Sequence, residues 1–96
     1  MAIYVILDND IHDHAKYDEY KKAVPAMVAR HGGEYLVRDG KIDVPVGNWH
    51  PNRMVIFKWP SRQALDAFMS DPEYQPWKSL RESCTTTNQL VIVEGI

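Results

Sequence analysis

The sequence predicts an α+β domain of the ferredoxin-like type, a β-α-β-β-α-β sandwich whose four-stranded antiparallel sheet carries its helices on one face. Runs of β-branched and aromatic residues alternate with segments whose apolar residues recur at helical spacing. The 96 residues suffice for one domain, expected to span 1–96, and leave nothing for a second core. The strands are apolar on both faces, which favours a sheet that pairs with a second copy.

The first half of the chain contains a strand, a helix and a second strand. The expected bounds are residues 2–7 for strand 1, 13–32 for helix 1 with its caps, and 34–38 for strand 2. Helix 1 has apolar residues at steps of three and four from Tyr17 to Val28, with Asp13 as its N-cap. We expect Pro25 to kink this helix and the glycine pair at 32–33 to end it.

The second half supplies an irregular hairpin, two helical pieces and two further strands. The turn at Asp39 predicts that strand 2 continues as a hairpin excursion to Gly47. Ser61 is expected to cap the first helical piece. Asp71, followed by a proline, is expected to cap the second, which reaches about Ser83. The remaining bounds are residues 53–59 for strand 3 and 89–94 for strand 4.

Both faces of the predicted sheet are apolar. In strand 1, Ile3 and Leu7 lie on one face, whereas Tyr4 and Ile6 lie on the other. Strands 3 and 4 repeat this pattern. An exposed apolar sheet face of several hundred square ångströms is rare on a soluble monomer. We therefore expect a homodimer in which two sheets pack face to face about a twofold axis.

Composition argues against several classes of function. Eleven basic and thirteen acidic residues give a net charge of −2 without a basic run, so we expect no nucleic acid partner. Cys84 is the only cysteine, which suits a reducing compartment. The sequence shows no leader-like segment and no apolar run near the roughly 20 residues of a membrane span. We expect a cytoplasmic protein without a membrane partner.

The densest polar cluster of the chain is residues 8–14, between strand 1 and helix 1. A calcium loop would use Asp8, Asp10 and Glu19 as ligands, but it needs a glycine where Asp13 stands. The two histidines of the cluster could offer zinc ligands, although the spacing places no others. A solvated loop with a helix cap is the favoured interpretation, and no metal ligand is assigned.

Arg38 and Arg53 flank the predicted hairpin between strands 2 and 3. A hairpin would bring both guanidinium groups to one rim, where they could hold a carboxylate or an enolate. The alternative is structural ion pairing with neighbouring acidic residues, namely Asp39, Asp43 or Glu34. The other candidates for ligand binding are Tyr20, Trp49 and Arg81.

His50 and Tyr74 are the candidate catalytic residues, as carriers of a proton. His50 lies in the segment Gly-Asn-Trp-His-Pro at 47–51, where a mobile loop would suit a group that titrates near neutral pH. The alternative is an exposed loop histidine without a role. Cys84 is expected to be a packed thiol. The sequence has no Gly-rich phosphate loop and no Gly-x-Ser-x-Gly elbow, so nucleotide binding and ordinary hydrolase chemistry lose support.

Several short motifs follow one another along the chain. They are Gly-Gly-Glu-Tyr-Leu-Val-Arg-Asp-Gly at 32–40, Gly-Asn-Trp at 47–49, Phe-Lys-Trp-Pro-Ser at 57–61, Asp-Pro-Glu-Tyr-Gln at 71–75 and Val-Glu-Gly at 93–95. Together they resemble the domain of unknown function 1330 family over essentially the whole chain. The resemblance implies a dimeric α+β barrel, a superfamily that includes small monooxygenases and muconolactone isomerase. It also implies a pocket between sheet and helices, with Arg38, Gly40, Gly47, Arg53 and Tyr74 as candidate lining, and no established reaction.

The leading functional hypothesis is a homodimer whose subunits each bind a small organic acid or aromatic metabolite between sheet and helices. Chemistry at such a pocket would need no cofactor and would be isomerase, lyase or monooxygenase-like, a step that rests on fold analogy. One alternative is a non-catalytic dimeric binding or assembly module. Another is a metal-dependent enzyme that uses the cluster at residues 8–14.

Overall fold

The computed structural model describes all 96 residues, from Met1 to Ile96. Its elements are β1 (Ile3–Ile11), α1 (His14–Arg30), β2 (Glu34–Arg38), β3 (Met54–Trp59), α2 (Arg62–Ser70), α3 (Gln75–Cys84) and β4 (Thr85–Glu94). The four strands form one antiparallel sheet in the order β2-β3-β1-β4. The predicted ferredoxin-like α+β fold is confirmed, with the second helical region divided into α2 and α3. None of the helices has the combination of length and apolar character that a membrane span requires.

The helices pack on the sheet face that carries the odd-numbered residues of β1. Ile3 and Val5 are buried there, and the strand register places them beside Trp59 and Phe57 of β3. The core cluster joins these strands to the helices and consists of Ile3, Val5, Val24, Val28, Trp59, Leu65, Phe68 and Tyr74. The indole of Trp59 is fully buried at its centre.

The opposite face of the sheet carries no helix, because all three helices contribute to packing on the first face. Tyr4 and Ile6 of β1 point to this open face, beside Val93 and Val91 of β4. Val91 is 37% exposed and Val93 is 46% exposed, so apolar side chains meet solvent there. The sheet is therefore apolar on both faces, as its sequence pattern indicates.

The predicted caps of the first two helices are present. Asp13 and Ser61 each accept the backbone N–H three residues further along the chain, at 3.1 Å in both cases. Gly32 follows α1 with a φ of +83°, the left-handed conformation expected of a glycine after a helix. Pro25 lies inside α1, which continues through it to Arg30.

β1 and β4 are longer than predicted. β1 continues to Ile11 and β4 begins at Thr85, because residues 8–11 pair with residues 85–89. The polar side chains of residues 8–10 indicated a loop, but the backbone of residues 8–11 forms a ladder with the backbone of β4. The register shifts between Asp8 and Asn9, which marks a β-bulge.

α3 begins at Gln75, so the prediction that Asp71 caps this helix is wrong. Asp71 Oδ1 instead accepts the N–H of Glu73 at 2.9 Å and closes a turn between α2 and α3. Tyr74 occupies the N-cap position of α3 and makes no side-chain cap hydrogen bond.

The predicted hairpin excursion between β2 and β3 is also wrong. Residues 39–53 contain no strand, and Asp39 adopts a φ of 65° where β2 ends. A positive φ at a non-glycine residue turns the chain out of the extended direction. Asp39 donates its backbone N–H to Met54 of β3 at 3.1 Å. Further along the segment, Trp49 and Asn52 donate hydrogen bonds to Asp8 of β1 rather than to a hairpin partner.

Gly33, between α1 and β2, allows close packing of the helix on the sheet. A Cβ at this position would lie 2.6 Å from Val28 Cγ1 and 2.8 Å from Trp59 Cζ3, and both neighbours are fully buried. We expect Gly33→Ala to lower the free energy of unfolding by about 1–3 kcal/mol, measured by chemical denaturation. Gly40→Ala is the control, since its Cβ would meet no atom within 4 Å. Equal losses in the two variants would contradict this account of the packing.

A polar cluster joins the end of α1 to the turn between α2 and α3. His31 Nε2 lies 2.8 Å from Asp71 Oδ2, and Arg30 Nη2 lies 3.7 Å from the same oxygen. The hydrogen bond with His31, supported by the N–H of Glu73, lowers the pKa of Asp71 below its usual value. A lowered carboxyl pKa stabilises the folded state above the unfolded-state pKa, and this contribution is lost as the pH falls through the folded-state value.

We therefore expect Asp71→Asn to lower the melting temperature at neutral pH, because it removes the charge that the cluster stabilises. The difference from the parent protein should begin to shrink as the pH falls below about 4, the unfolded-state pKa of an aspartate, and should vanish only below the lowered folded-state pKa of Asp71. Thermal unfolding followed by circular dichroism from pH 3 to 7 measures the melting temperatures of the variant and of the parent protein. Asp66→Asn, at an exposed ion pair on α2, is the matched control. If the melting-temperature difference between Asp71→Asn and the parent were constant across this pH range, the proposed stabilisation by the ionised Asp71 carboxylate would be refuted.

Candidate functional site

A cavity of about 240 Å³ lies between the helix-covered face of the sheet and the helices. Its walls are mostly apolar and include Val5, Phe57, Leu65, Phe68, Leu90 and Ile92. An apolar cavity of about 150 Å³ is enough to hold benzene. The volume therefore suits a ligand with one substituted ring, below the roughly 300 Å³ at which pockets for drug-sized ligands begin.

Arg53 lies at the end of the loop before β3, lines this cavity and is only 7% exposed. Its Nη1 donates to Tyr17 Oη at 3.1 Å and, more weakly, to Asn9 Oδ1 at 3.4 Å. The guanidinium also stacks over the Tyr17 ring, with Cζ 5.0 Å from the ring centroid. Nε lies 3.6 Å from Asp39 Oδ1, which is close enough for an ion pair but too long for a hydrogen bond.

Two donors of Arg53, Nε and Nη2, are buried without a hydrogen-bond acceptor in the protein. A buried charged donor without an acceptor is costly, because the group has lost its hydration and gained nothing in return. These donors therefore favour an acceptor that enters the cavity, and a carboxylate matches the planar fork of a guanidinium.

The buried carboxylate of Asp8 positions Arg53 from the neighbouring strand. Asp8 Oδ1 accepts the backbone N–H of Asn52 at 3.0 Å and that of Arg53 at 3.3 Å. Asp8 Oδ2 accepts the indole N–H of Trp49 at 3.1 Å. The N–H of Asn9 in turn donates to the carbonyl of Arg53 at 3.1 Å, so the start of β3 is held from both sides.

Arg38, the last residue of β2, lines the same cavity. Its Cζ lies 5.0 Å from the centroid of the Tyr35 ring, which is a cation–π contact. Arg38 forms no ion pair, since the salt bridges of the structure involve other residues. Burial raises the pKa of Tyr35 to about 12, although Arg38 acts in the opposite direction. Neither Arg38 nor Arg53 forms an ion pair with Asp43 or Glu34, and Arg53 has only the 3.6 Å contact with Asp39.

A second polar group lies on the same cavity wall and is formed by Tyr20, Tyr74 and Arg81. The two phenol oxygens are 2.8 Å apart. Burial raises the pKa of Tyr20 well above its usual value, while the nearby Arg81 acts to lower it. Burial opposes the charge of Arg81, but Tyr74 and Tyr20 offset this effect, so the pKa of Arg81 is raised.

The structure brings together most, but not all, of the candidates from the sequence. The cavity is lined by Tyr20, Arg38, Arg53, Tyr74 and Arg81. His50 and Trp49 are not part of this lining. His50 is exposed on the loop between β2 and β3, and Trp49 donates to Asp8, which points away from the cavity because it follows the inward-facing Leu7.

Asn9 and Tyr17 contact Arg53 and were not assigned to the site from the sequence. A signal for Asn9 existed in the strand alternation, since Asn9 shares the parity of Val5 and Leu7 and would face the helices if β1 were extended. Tyr17 belongs to the apolar stripe of α1, which gave no indication that its hydroxyl meets an arginine.

The polar residues at 8–14 do not gather around a common centre. No three His, Cys, Asp or Glu side chains lie close enough together to hold a metal ion. Asp10 accepts from Asn52, while His12 pairs with Thr86 of β4. These groups connect β1 to its neighbours instead.

Comparison with known proteins identifies the family and the fold. Residues 2–96 match the family described as "Domain of unknown function (DUF1330)". No curated protein matches the chain in sequence.

Several solved structures share the fold at low sequence identity. The RPA0582 protein of unknown function from Rhodopseudomonas palustris is 15% identical, with a TM-score of 0.78 over 99% of this chain and 82% of that chain. SnoaB from Streptomyces nogalater, a cofactor-independent oxygenase, is 13% identical, with a TM-score of 0.70 over 99% of this chain and 93% of that one. HapK from Hahella chejuensis is 15% identical, with a TM-score of 0.64 over 98% of this chain and 92% of that one. At these identities the likeness is one of fold.

Proposed function

The chain belongs to the DUF1330 family, and from this premise we propose that it binds a small aromatic or unsaturated organic acid in the cavity between sheet and helices. The carboxylate of the ligand pairs with Arg53, and its ring contacts the apolar walls. The observation that carries the proposal is the pair of buried donors on Arg53, Nε and Nη2, that have no acceptor in the protein.

The charge balance of the cavity supports an anionic ligand. Its lining contains five basic residues and one acidic residue, Asp66, which pairs with Arg62; the basic residues are Lys21, Arg38, Arg53, Arg62 and Arg81. None of Arg38, Arg53 and Arg81 has a carboxylate within hydrogen-bond distance. The nearest carboxylate, that of Asp39, is 3.6 Å from Arg53 Nε and is itself 59% exposed. Because solvent screens an exposed carboxylate, Asp39 leaves most of the positive charge of the cavity uncompensated.

Catalysis in this cavity would be cofactor-free. Positioned guanidinium groups stabilise the negative charge that develops on a carboxylate-bearing enolate, and Tyr74, which lines the cavity, is the residue proposed to move a proton. The likeness in fold to SnoaB, described as a cofactor-independent oxygenase, supports this class of chemistry by analogy alone. His50 lies outside the cavity lining, so the proton-transfer role is proposed for Tyr74 without it.

The working unit of the proposal is a cytoplasmic homodimer that forms through the open face of the sheet. This face exposes Val91 and Val93, and helices do not cover it. A second copy offers an equally apolar surface, and a twofold axis lets the two faces bury one another. The single cysteine, Cys84, is a free buried thiol, which is compatible with a reducing compartment.

The first test is the binding of benzoate by isothermal titration calorimetry. Arg53→Met should weaken benzoate binding by about tenfold to a hundredfold, the effect of losing a charged hydrogen bond of about 1.5–3 kcal/mol. Arg53→Lys keeps the charge and should lose less. Arg30→Met, which removes a positive charge from a surface ion pair outside the cavity, is the control and should bind as the parent does.

Benzyl alcohol provides the matching control on the ligand, because it keeps the ring but lacks the carboxylate. It should bind weakly to the parent and equally to the Arg53 variants. Unchanged benzoate affinity in a folded Arg53→Met protein would refute the anion site. Conversion of a bound acid into product would identify an enzyme, whereas binding without turnover would identify a binding module.

The second test concerns the dimer. We expect sedimentation velocity at micromolar concentration to show a dimer for the parent protein. Val93→Asp should shift the equilibrium to monomer, because it places a charge in the apolar interface. Ala67→Asp adds the same charge on an exposed position of α2 and should leave the dimer intact. A monomeric parent protein would exclude association through the open face.

A further inference from the structure

Tyr20, Tyr74 and Arg81 form a second polar group in the cavity that the binding of a simple carboxylate does not use. Tyr20 comes from α1, Tyr74 from the turn before α3, and Arg81 from α3 itself. All of them line the cavity, and Tyr74 is only 2% exposed. Three parts of the fold thus converge on one polar region of the cavity wall.

A count of hydrogen atoms shows that this group has a donor to spare. The phenols of Tyr20 and Tyr74 carry one hydrogen each, and one of these hydrogens spans the 2.8 Å contact between the two oxygens. Neither oxygen makes a further hydrogen bond to a backbone or side-chain acceptor. The hydrogen of whichever phenol accepts in this pair is therefore left without an acceptor in the protein. Burial raises the pKa of Tyr20 above its usual value, which favours retention of its hydrogen.

Arg81 adds a positive charge to the same spot. The ion pairs of the structure involve Arg30, His31, Arg53 and Arg62, and none of them involves Arg81. It lies near enough to Tyr20 and Tyr74 to act on the pKa of Tyr20. A spare phenol hydrogen beside an unpaired guanidinium is an arrangement that stabilises an oxyanion.

The two polar groups of the cavity are neighbours. The rings of Tyr17 and Tyr20 stack on consecutive turns of α1, with centroids 5.4 Å apart. Tyr17 is hydrogen-bonded to Arg53, and Tyr20 is hydrogen-bonded to Tyr74. Arg53, Tyr20, Tyr74 and Arg81 line the same cavity of about 240 Å³, so one ring-sized ligand in it can contact both groups.

We propose that the ligand is an organic acid with a second acidic oxygen, a phenol or an enol, and that Tyr20, Tyr74 and Arg81 bind this oxygen in its deprotonated form. The inference rests on the proposed function, since the carboxylate of the ligand still pairs with Arg53. On binding, the O–H bond of the ligand breaks, its proton passes to the solvent, and the resulting oxyanion accepts hydrogen bonds from the spare phenol and Arg81.

The experiment uses 4-hydroxy-3-nitrobenzoate, whose phenolate absorbs visible light and so reports its own ionisation. With the parent protein in excess, the apparent pKa of the bound phenol should lie about one unit or more below that of the free compound. Tyr74→Phe and Arg81→Met should each remove at least half of this shift, while each still binds benzoate. Arg81→Lys, which keeps the charge, should retain part of it.

Tyr4→Phe is the control, since this phenol lies on the open face of the sheet, and it should leave the shift unchanged. Binding that depends on Arg53 but leaves the phenol of the probe unshifted would overturn the inference and leave the proposed function standing. A shift that survives in both Tyr74→Phe and Arg81→Met would also overturn it. Failure of both benzoate and the nitrophenol probe to bind the folded parent would overturn the inference and the proposed function together.

Discussion

The carboxylate of Asp8 joins β1 to the loop before β3, and the candidate site depends on that connection. Its two oxygens accept hydrogen bonds from the indole of Trp49 and from the backbone of Asn52 and Arg53. These bonds act together with the hydrogen bond from the Asn9 N–H to the Arg53 carbonyl to fix the backbone of Arg53. With them, the side chain of Arg53 is directed to the helix-covered face of the sheet, where it meets Tyr17 and Asn9.

Burial gives the cavity its chemical character. A guanidinium on the surface is hydrated and pairs weakly with acids, whereas Arg53 keeps unpaired donors among apolar walls. The same reasoning applies to Tyr20 and Tyr74, whose spare hydrogen lies beside an arginine without a counter-ion. The cavity therefore combines an apolar volume for a ring with two places that favour negative oxygen. This combination suits an aromatic or enolisable acid better than a neutral hydrocarbon.

The two faces of the sheet serve different purposes. The helix-covered face contains the core around Trp59 and the cavity, and close approach at Gly33 lets α1 lie against it. The open face retains Val91 and Val93 in contact with solvent. Helices occupy only one face, so the fold of one subunit leaves the apolar pattern of the second face uncovered, and this is the basis of the proposed dimer.

Local patterns in the sequence determined the order of the elements, the caps at Asp13 and Ser61 and the alternation of β1, because these depend on neighbours a few residues away. They also placed Arg38 and Arg53 at the ends of the segment between β2 and β3. Contacts distant in sequence decided the rest. Pairing with β4 made residues 8–11 a strand, a turn displaced the start of α3 to Gln75, and His50 lies outside the cavity that Arg53 enters. These features depend on contacts between segments that are distant in sequence, and local sequence patterns do not contain the information that sets such contacts.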